Sequence, residues 1–319
     1  MEGMVRHYDV VVVGGASAGL SAALVLGRSR RRTMVLDTGE PRNTPSSGVQ
    51  SFFSRDGILP KELLRIGREQ LTPYPSVELR SARATGARVE DGGFEVSLDD
   101  GSNVRARKLL LATGVTDELP EKPGFEQFWG RGIYHCPYCH GWEVRDRPLA
   151  VLARGEDALE RAPRIRNWSR DVVVCSDGPL GLDEEGRNKL SALGIGVREE
   201  KIARLEGGDG LLRRIVFEDG SELVREALFF MPPQRQSSEL AEILGCEVGQ
   251  MGPAPCIVKN DPMTKETTVP GVYVAGDAGS SMQQAILAAS SGAMAAISIN
   301  HALIAEEVAR CVLRGFGMR

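Results

Sequence analysis

Aromatic residues make up only 5% of the 319-residue chain, so stacking platforms for bases are scarce. Charge of one sign is equally short: 39 basic residues face 43 acidic ones, for a formal net charge of -4. The basic footprint of a nucleic-acid binder is missing, and no nucleic-acid partner is expected. Six cysteines are too few for a disulfide scaffold. The N-terminus has no convincing secretory signal: Asp9 precedes the apolar run and no small-residue cleavage site follows it. The expected location is the cytoplasm.

Long apolar runs are few. Val10–Gly27 and Ala285–Ala305 carry no charge, but both are rich in Gly, Ala and Ser. A membrane-spanning helix needs about 20 predominantly apolar residues. Both stretches read instead as buried parts of an α/β core, with no membrane partner. At roughly 150 residues per domain, the length suggests two domains.

Tyr8–Val13 is an apolar, β-branched run, which predicts a buried parallel strand. The loop Gly14-Gly15-Ala16-Ser17-Ala18-Gly19 follows, then a helix over Leu20–Arg28 and a strand over Thr33–Leu36 ending at Asp37. Together these form a βαβ unit. Pro60–Leu71 predicts an amphipathic helix, and short alternating strands run from Val77 to Ala112. A second unit begins with a strand over Leu149–Ala153, a helix over Glu156–Trp168 and a strand over Asp171–Cys175. A helix over Glu184–Leu193 and alternating strands from Val197 to Phe230 follow. Pro270–Ala275 predicts a last strand and Met282–Ile304 a long helix.

The two units look like copies. Asp99-Asp100-Gly101-Ser102 followed by Leu109-Leu110-Leu111-Ala112 lines up with Glu218-Asp219-Gly220-Ser221 followed by Leu228-Phe229-Phe230-Met231, at a constant offset of 119. Pro270–Ile304 has no counterpart inside the second copy. The expected fold is therefore α/β, with two Rossmann-like (three-layer ββα) dinucleotide-binding domains, the second inserted in the first. The boundaries are placed at 1–116 plus 247–319 and at 117–246, with crossings near Val115–Pro123 and Gly245–Pro255.

Gly14-x-Ala16-x-x-Gly19 follows a strand and opens a helix, where free N–H groups and the helix dipole suit a pyrophosphate. Asp37, 23 residues beyond Gly14, suits a ribose hydroxyl. Ala16 stands where the fingerprint has its middle glycine, which calls for a small adjustment. Ala112-Thr113-Gly114 and Val274-Ala275-Gly276-Asp277 each end an apolar strand in a small loop.

Cys136-Pro137-Tyr138-Cys139-His140 is the sharpest local motif. Two cysteines three apart can close a small reversible disulfide, and that spacing can depress a thiol's pKa. His140 adjoins the second cysteine and is a group able to titrate near neutral pH. Cys-x-x-Cys-His is also the c-type haem attachment pattern, which requires export. A zinc site would need further ligands, and His135 with His140 is too crowded to supply them, so no metal is expected. An inert structural pair is the remaining alternative. The other four cysteines read as small buried hydrophobes.

In the order of these motifs the chain resembles the flavin-dependent pyridine nucleotide-disulfide oxidoreductases, especially the low-molecular-weight thioredoxin reductase group. The resemblance implies FAD held by Gly14, Gly15, Ala16, Gly19, Asp37, Asn43, Ala112, Gly114, Gly276, Asp277, Gln284 and Ala285. Asp277 would contact the ribityl–phosphate part and Gln283-Gln284-Ala285 would lie near the flavin ring. It implies Cys139 as the flavin-proximal sulfur, Cys136 as the interchange sulfur, and a homodimer. His140 stands where the family usually has an acidic acid–base group. Cys-x-x-Cys-His is similar to a divergent branch that includes dithiol oxidases and reductases with unusual electron donors. The partner would be a thioredoxin-like protein or a small dithiol or disulfide.

The second nucleotide loop, Ala153-Arg154-Gly155-Glu156-Asp157-Ala158, lacks the first glycine, and Cys175-Ser176-Asp177 replaces the family's basic cluster for the NADPH 2′-phosphate. Asp177 would repel that phosphate and still suit an unphosphorylated ribose. NADPH, NADH and no nicotinamide donor all stay open. So do three activities: a reductase, a dithiol oxidase passing electrons to oxygen, and a flavin-binding sensor without turnover. The cluster Arg28–Arg32 reads as a solvated helix end. Trp129 and Trp168 read as packing residues; for Trp142, ordinary packing and packing near the redox pair both stay open.

Overall fold

The computed structural model describes residues 6–250 and 256–315. The chain divides into two compact units, Met1–Thr44 with Lys61–Thr116 and Gln234–Arg319, and Pro45–Pro60 with Asp117–Pro233. The expected return crossing near Gly245–Pro255 is corrected to Pro233/Gln234, and residues 251–255 of that range lie outside the described residues. The physical reason is apolar burial: Leu240, Ala241, Leu244 and Cys246 pack into the first unit's core. A further departure is Pro45–Pro60, which groups with the second unit.

The first unit is built on a seven-stranded sheet. Arg6–Val13 pairs in parallel with Thr33–Asp37 on one side and Asn103–Leu111 on the other. Asn103–Leu111 changes partner along its free edge. Its first half pairs antiparallel with Gly93–Leu98, and its last three residues pair in parallel with Val272–Val274. The centre is buried on both faces, as parallel sheets require. Val11, Val13, Leu36, Leu109 and Val274 face one core, while Val10, Val12, Val35, Leu110 and Tyr273 face the other. That second face is covered by the helices Ser17–Arg28 and Ala285–Gly315, through Ala22, Ala23, Leu26, Ala295, Ala296, Ile299 and Leu303.

The long helix starts three residues later and runs well beyond the predicted Ile304. Charge resumes at Glu306, but Glu306 pairs with Arg107 and Lys108, and Glu307 with Arg31 and Arg107, so the helix continues. Its uncharged stretch was expected to be buried; only one face is. Ile297, Ile304, Val308 and Val312 are exposed, and by length and composition the helix could cross a membrane. Cys311 is likewise exposed, contrary to expectation, whereas Cys175 and Cys246 are buried; the Cys256 side chain lies outside the described residues.

The second unit repeats the plan with a five-stranded parallel sheet in the order Gly196–Arg198, Val172–Cys175, Leu149–Leu152, Ala227–Phe230, Ile133–Tyr134. A three-stranded antiparallel sheet of Ile202–Gly208, Leu211–Phe217 and Glu222–Val224 accompanies it. The repeat extends to single hydrogen bonds. Asp100 accepts from the Ser102 N–H and hydroxyl, and Asp219 does the same with Ser221. Gly101 and Gly220 both adopt positive φ, at 79° and 84°. This explains the Asp-Gly-Ser motif at both hairpins.

Candidate functional site

In the first unit the glycine loop is shaped by closeness of backbone. Gly14 has φ 108°, and a Cβ there would lie 2.2 Å from the Ala112 carbonyl oxygen. A Cβ on Gly19 would lie 1.8 Å from the Gly14 oxygen, and one on Gly15 would lie 2.6 Å from the Asp37 side chain. All three positions therefore exclude a side chain. Ala16 is the N-cap of the helix Ser17–Arg28; no side chain caps its amides and no acidic residue stands in its first turn. An uncapped N-terminus behind such a loop is an anion-binding arrangement, and the cradle fits a dinucleotide pyrophosphate.

Asp37 closes the loop: one carboxylate oxygen accepts from the Gly15 N–H at 3.2 Å, and the other pairs with Arg68 at 2.7 Å. Gly114 has φ 69° with open space where a Cβ would be. Gly276 has φ 73°, and its N–H donates to the Ser291 hydroxyl at 2.8 Å. Gln284 precedes the long helix, which Ala285 opens, and accepts from the Ala288 N–H. Asn43 is exposed on the turn after Pro41.

The structure adds Arg42 and Gln234, to which the sequence did not point. Arg42 donates to Asp277 at 3.0 Å and to Gln283 at 2.7 Å, and Gln283 exchanges hydrogen bonds with Gln234. Asp277 thus has a cationic partner within its own unit. Arg42 lies 235 residues from Asp277 in sequence, so no local spacing announces the pair.

In the second unit Cys136 and Cys139 form a disulfide with Cα atoms 5.3 Å apart. Cys136 caps the single helical turn Pro137–His140, with Pro137 at its start, and its carbonyl accepts from the N–H groups of Cys139 and His140. Gly141 is needed below that turn: a Cβ there would lie 2.5 Å from the Pro137 oxygen and 2.7 Å from the Trp168 ring. Trp168, read as a packing residue, therefore floors the redox turn, and its ring meets Tyr138 edge-on at 5.4 Å. Trp142 is 66% exposed, with the Arg145 guanidinium 3.9 Å over its ring.

His140 is buried, stacked on Tyr134 at 4.4 Å, with Nε2 3.0 Å from the Ser46 hydroxyl. Burial disfavours the charged imidazolium and pulls its pKa down to about 4. Its Nδ1 is buried without a hydrogen-bond partner among the described residues.

At the second glycine loop an arginine side chain reaches over to the neighbouring strand end. Arg154 turns back, donating from Nε to the Ser176 carbonyl and from Nη2 to the Asp177 carbonyl. Asp177, expected to suit a ribose, has φ 52°, and its Oδ1 accepts from Lys122 at 2.6 Å and from the Ile202 N–H at 2.7 Å. That oxygen is committed inside the protein, because the backbone of Ile202 would otherwise lose its partner.

The family profile for pyridine nucleotide-disulphide oxidoreductases matches residues 8–292. The chain is 33% identical to thioredoxin reductase tcpT of Claviceps purpurea over 311 residues, covering 93% of this chain and 95% of that one. An oxidoreductase structure from Agrobacterium tumefaciens superimposes with a TM-score of 0.88 at 34% identity, covering 94% and 99%. The crystal structure of HlmI does so with a TM-score of 0.87 at 37% identity, covering 98% and 96%.

Proposed function

The chain belongs to the pyridine nucleotide-disulphide oxidoreductase family, and on that premise we propose that it oxidises external dithiols through Cys136–Cys139, with FAD as cofactor and oxygen as acceptor. That it is a disulfide oxidoreductase of thioredoxin-reductase type follows from the family. The direction, the donor and the residue roles are the proposal.

The observation that carries the direction is the altered second loop, whose Arg154 is tied to the Ser176 and Asp177 carbonyls. A nicotinamide donor needs its pyrophosphate at the start of the helix Gly155–Ile165 and its ribose near Asp177. Arg154 is held beside that approach by the Ser176 and Asp177 carbonyls, and Glu156 and Asp157 add negative charge at the same helix start. FAD, when bound to the Gly14–Gly19 cradle, supplies two-electron redox chemistry between the cysteine pair and an acceptor.

The chain's own residues account for the thiol steps. A substrate thiolate attacks the Cys136 sulfur, the Cys136–Cys139 bond breaks, and Cys139 leaves as thiolate. The second substrate thiol gives up its proton and attacks the mixed disulfide, releasing substrate disulfide and the Cys136 thiolate. The cysteine pair has then gained two electrons, and the substrate has lost two electrons and two protons, one to solvent as its first thiol ionises and one to His140. As the Cys136–Cys139 bond re-forms, the two electrons would pass by way of bound flavin to oxygen, which with those two protons would leave as hydrogen peroxide. A small dithiol or a thioredoxin-like protein is the substrate class, and the working form is a homodimer by family resemblance.

A second reading, an NADPH-fed reductase, is favoured by the description of the Claviceps relative as a thioredoxin reductase. An anaerobic titration of the yellow protein separates the two. Bleaching of the flavin band by a small dithiol, with recovery in air and none by NADPH or NADH, supports the oxidase. Rapid bleaching by a nicotinamide refutes it.

A further inference from the structure

The Pro45–Pro60 segment is pinned as a strap. The Val49 N–H donates to the Ile58 carbonyl at 2.7 Å, and the Gly57 N–H donates back to Val49 at 2.9 Å. At its entrance stands Ser46, whose hydroxyl has three neighbours. The Gly48 carbonyl lies at 2.7 Å, the Gly48 N–H at 3.3 Å, and His140 Nε2 at 3.0 Å.

A serine hydroxyl has one proton to give and two lone pairs to receive with. If the proton goes to the Gly48 carbonyl, Nε2 must carry hydrogen and donate to the hydroxyl, and all three contacts are hydrogen bonds. If it goes to Nε2 instead, the Gly48 carbonyl loses this donor. The imidazole hydrogen then sits on Nδ1, which is buried with no acceptor among the described residues. The first arrangement makes one more hydrogen bond and buries no orphaned N–H. Stacking on Tyr134, with ring planes 12° apart, keeps the imidazole in the plane that this contact requires.

We propose that Ser46 is a positioning residue: it fixes His140 as the Nε2–H tautomer and leaves Nδ1 as the lone pair that takes up a thiol proton. The tautomer assignment stands on the hydrogen-bond geometry; the use of Nδ1 rests on the reading of His140 as the acid–base group. As the disulfide opens, negative charge develops on cysteine sulfur one residue away, which favours the imidazolium and draws the proton to Nδ1.

The chain has four histidines, so a histidine-selective ¹⁵N spectrum at neutral pH resolves the ring, with His140→Gln giving the assignment. The expected wild-type signature is a protonated Nε2 and a bare Nδ1. Ser46→Ala removes one neutral hydrogen bond and is expected to shift the tautomer ratio about two- to tenfold toward Nδ1–H, while Ser46→Thr keeps the hydroxyl and restores it. A wild-type Nδ1–H signature, or an unchanged ratio in Ser46→Ala, overturns the positioning role. Dithiol-driven bleaching tests the other link. Unchanged bleaching in His140→Gln overturns the use of Nδ1 while leaving the tautomer assignment standing; slowing in both His140→Gln and Ser46→Ala, with rescue by Ser46→Thr, supports both.

Discussion

Gly292→Ala tests whether the flavin cradle depends on how closely two helices pack. Gly292 lies on the long helix where it crosses Ser17–Arg28, and a Cβ there would sit 2.0 Å from the Ala18 carbonyl oxygen and 2.8 Å from its carbon. Ordinary contact needs about 3.5 Å, so the helices must part by about 1.5 Å at the crossing. In an unobstructed helix the same substitution would stabilise by about 1 kcal/mol. Overpacking costs about 1–3 kcal/mol, and here the obstacle is backbone, which cannot rotate away. The expected net is destabilisation on the order of 1 kcal/mol. Ala18 is the second residue of its helix, so the displacement falls on the amides at the helix start proposed to receive the FAD pyrophosphate. Each kcal/mol lost there weakens flavin binding about fivefold. The assay is FAD retained per chain after purification, together with thermal melts with and without added FAD. A variant that keeps full flavin and melts at or above the wild type would refute the reasoning.

Three further outcomes are expected. All three tryptophans, Trp129, Trp142 and Trp168, lie in the second unit, so their fluorescence reports its unfolding. Because burial lowers the His140 pKa from 6.5 to about 4, the unfolded state binds more protons between those values, and the contribution present above pH 6.5 is lost as pH falls through that window. The loss between pH 7.5 and pH 5 is about 2 kcal/mol, absent in His140→Gln; equal losses in both proteins would contradict the burial argument. Cys136→Ser is expected to keep its flavin and lose dithiol-driven bleaching altogether, and full activity in that variant would sink the exchange mechanism. Arg154→Ala is expected to free the second loop and speed bleaching by NADH about tenfold, an effect of about 1.4 kcal/mol; stopped-flow absorbance reads it, and an unchanged rate would show that Arg154 is no obstacle.

Local pattern made part of this molecule legible. The Val10–Val13 run needed no context to read as a central parallel strand, and the Gly14, Gly19 and Asp37 spacing located the first loop. The offset of 119 between the Asp-Gly-Ser turns revealed the duplication, which the paired Asp100–Ser102 and Asp219–Ser221 hydrogen bonds repeat. What stayed hidden depends on long-range partners. Ser46 meets His140 across 94 residues, and Arg42 meets Asp277 across 235. Pro45–Pro60 has no apolar period to show which unit it joins. The helix beyond Ile304 looked finished because charge returned, and only its ion partners explain why it goes on. Arg154 read as one more residue of a weakened loop, because a side chain folding back onto carbonyls leaves no trace in spacing.

The second sheet separates two duties by strand. The weakened loop follows Leu149–Leu152 at the sheet's centre, and Asp177 follows Val172–Cys175; the cysteine turn follows Ile133–Tyr134 at the opposite edge, beyond Ala227–Phe230. The loop lies on a different strand from the disulfide turn and from Gly141, although Trp168 closes the far end of the helix that the loop opens. Such a unit can lose a ligand without losing its chemistry. Its sheet persists as a mounting for a disulfide, and selection on the electron source and on the thiol reaction can proceed independently.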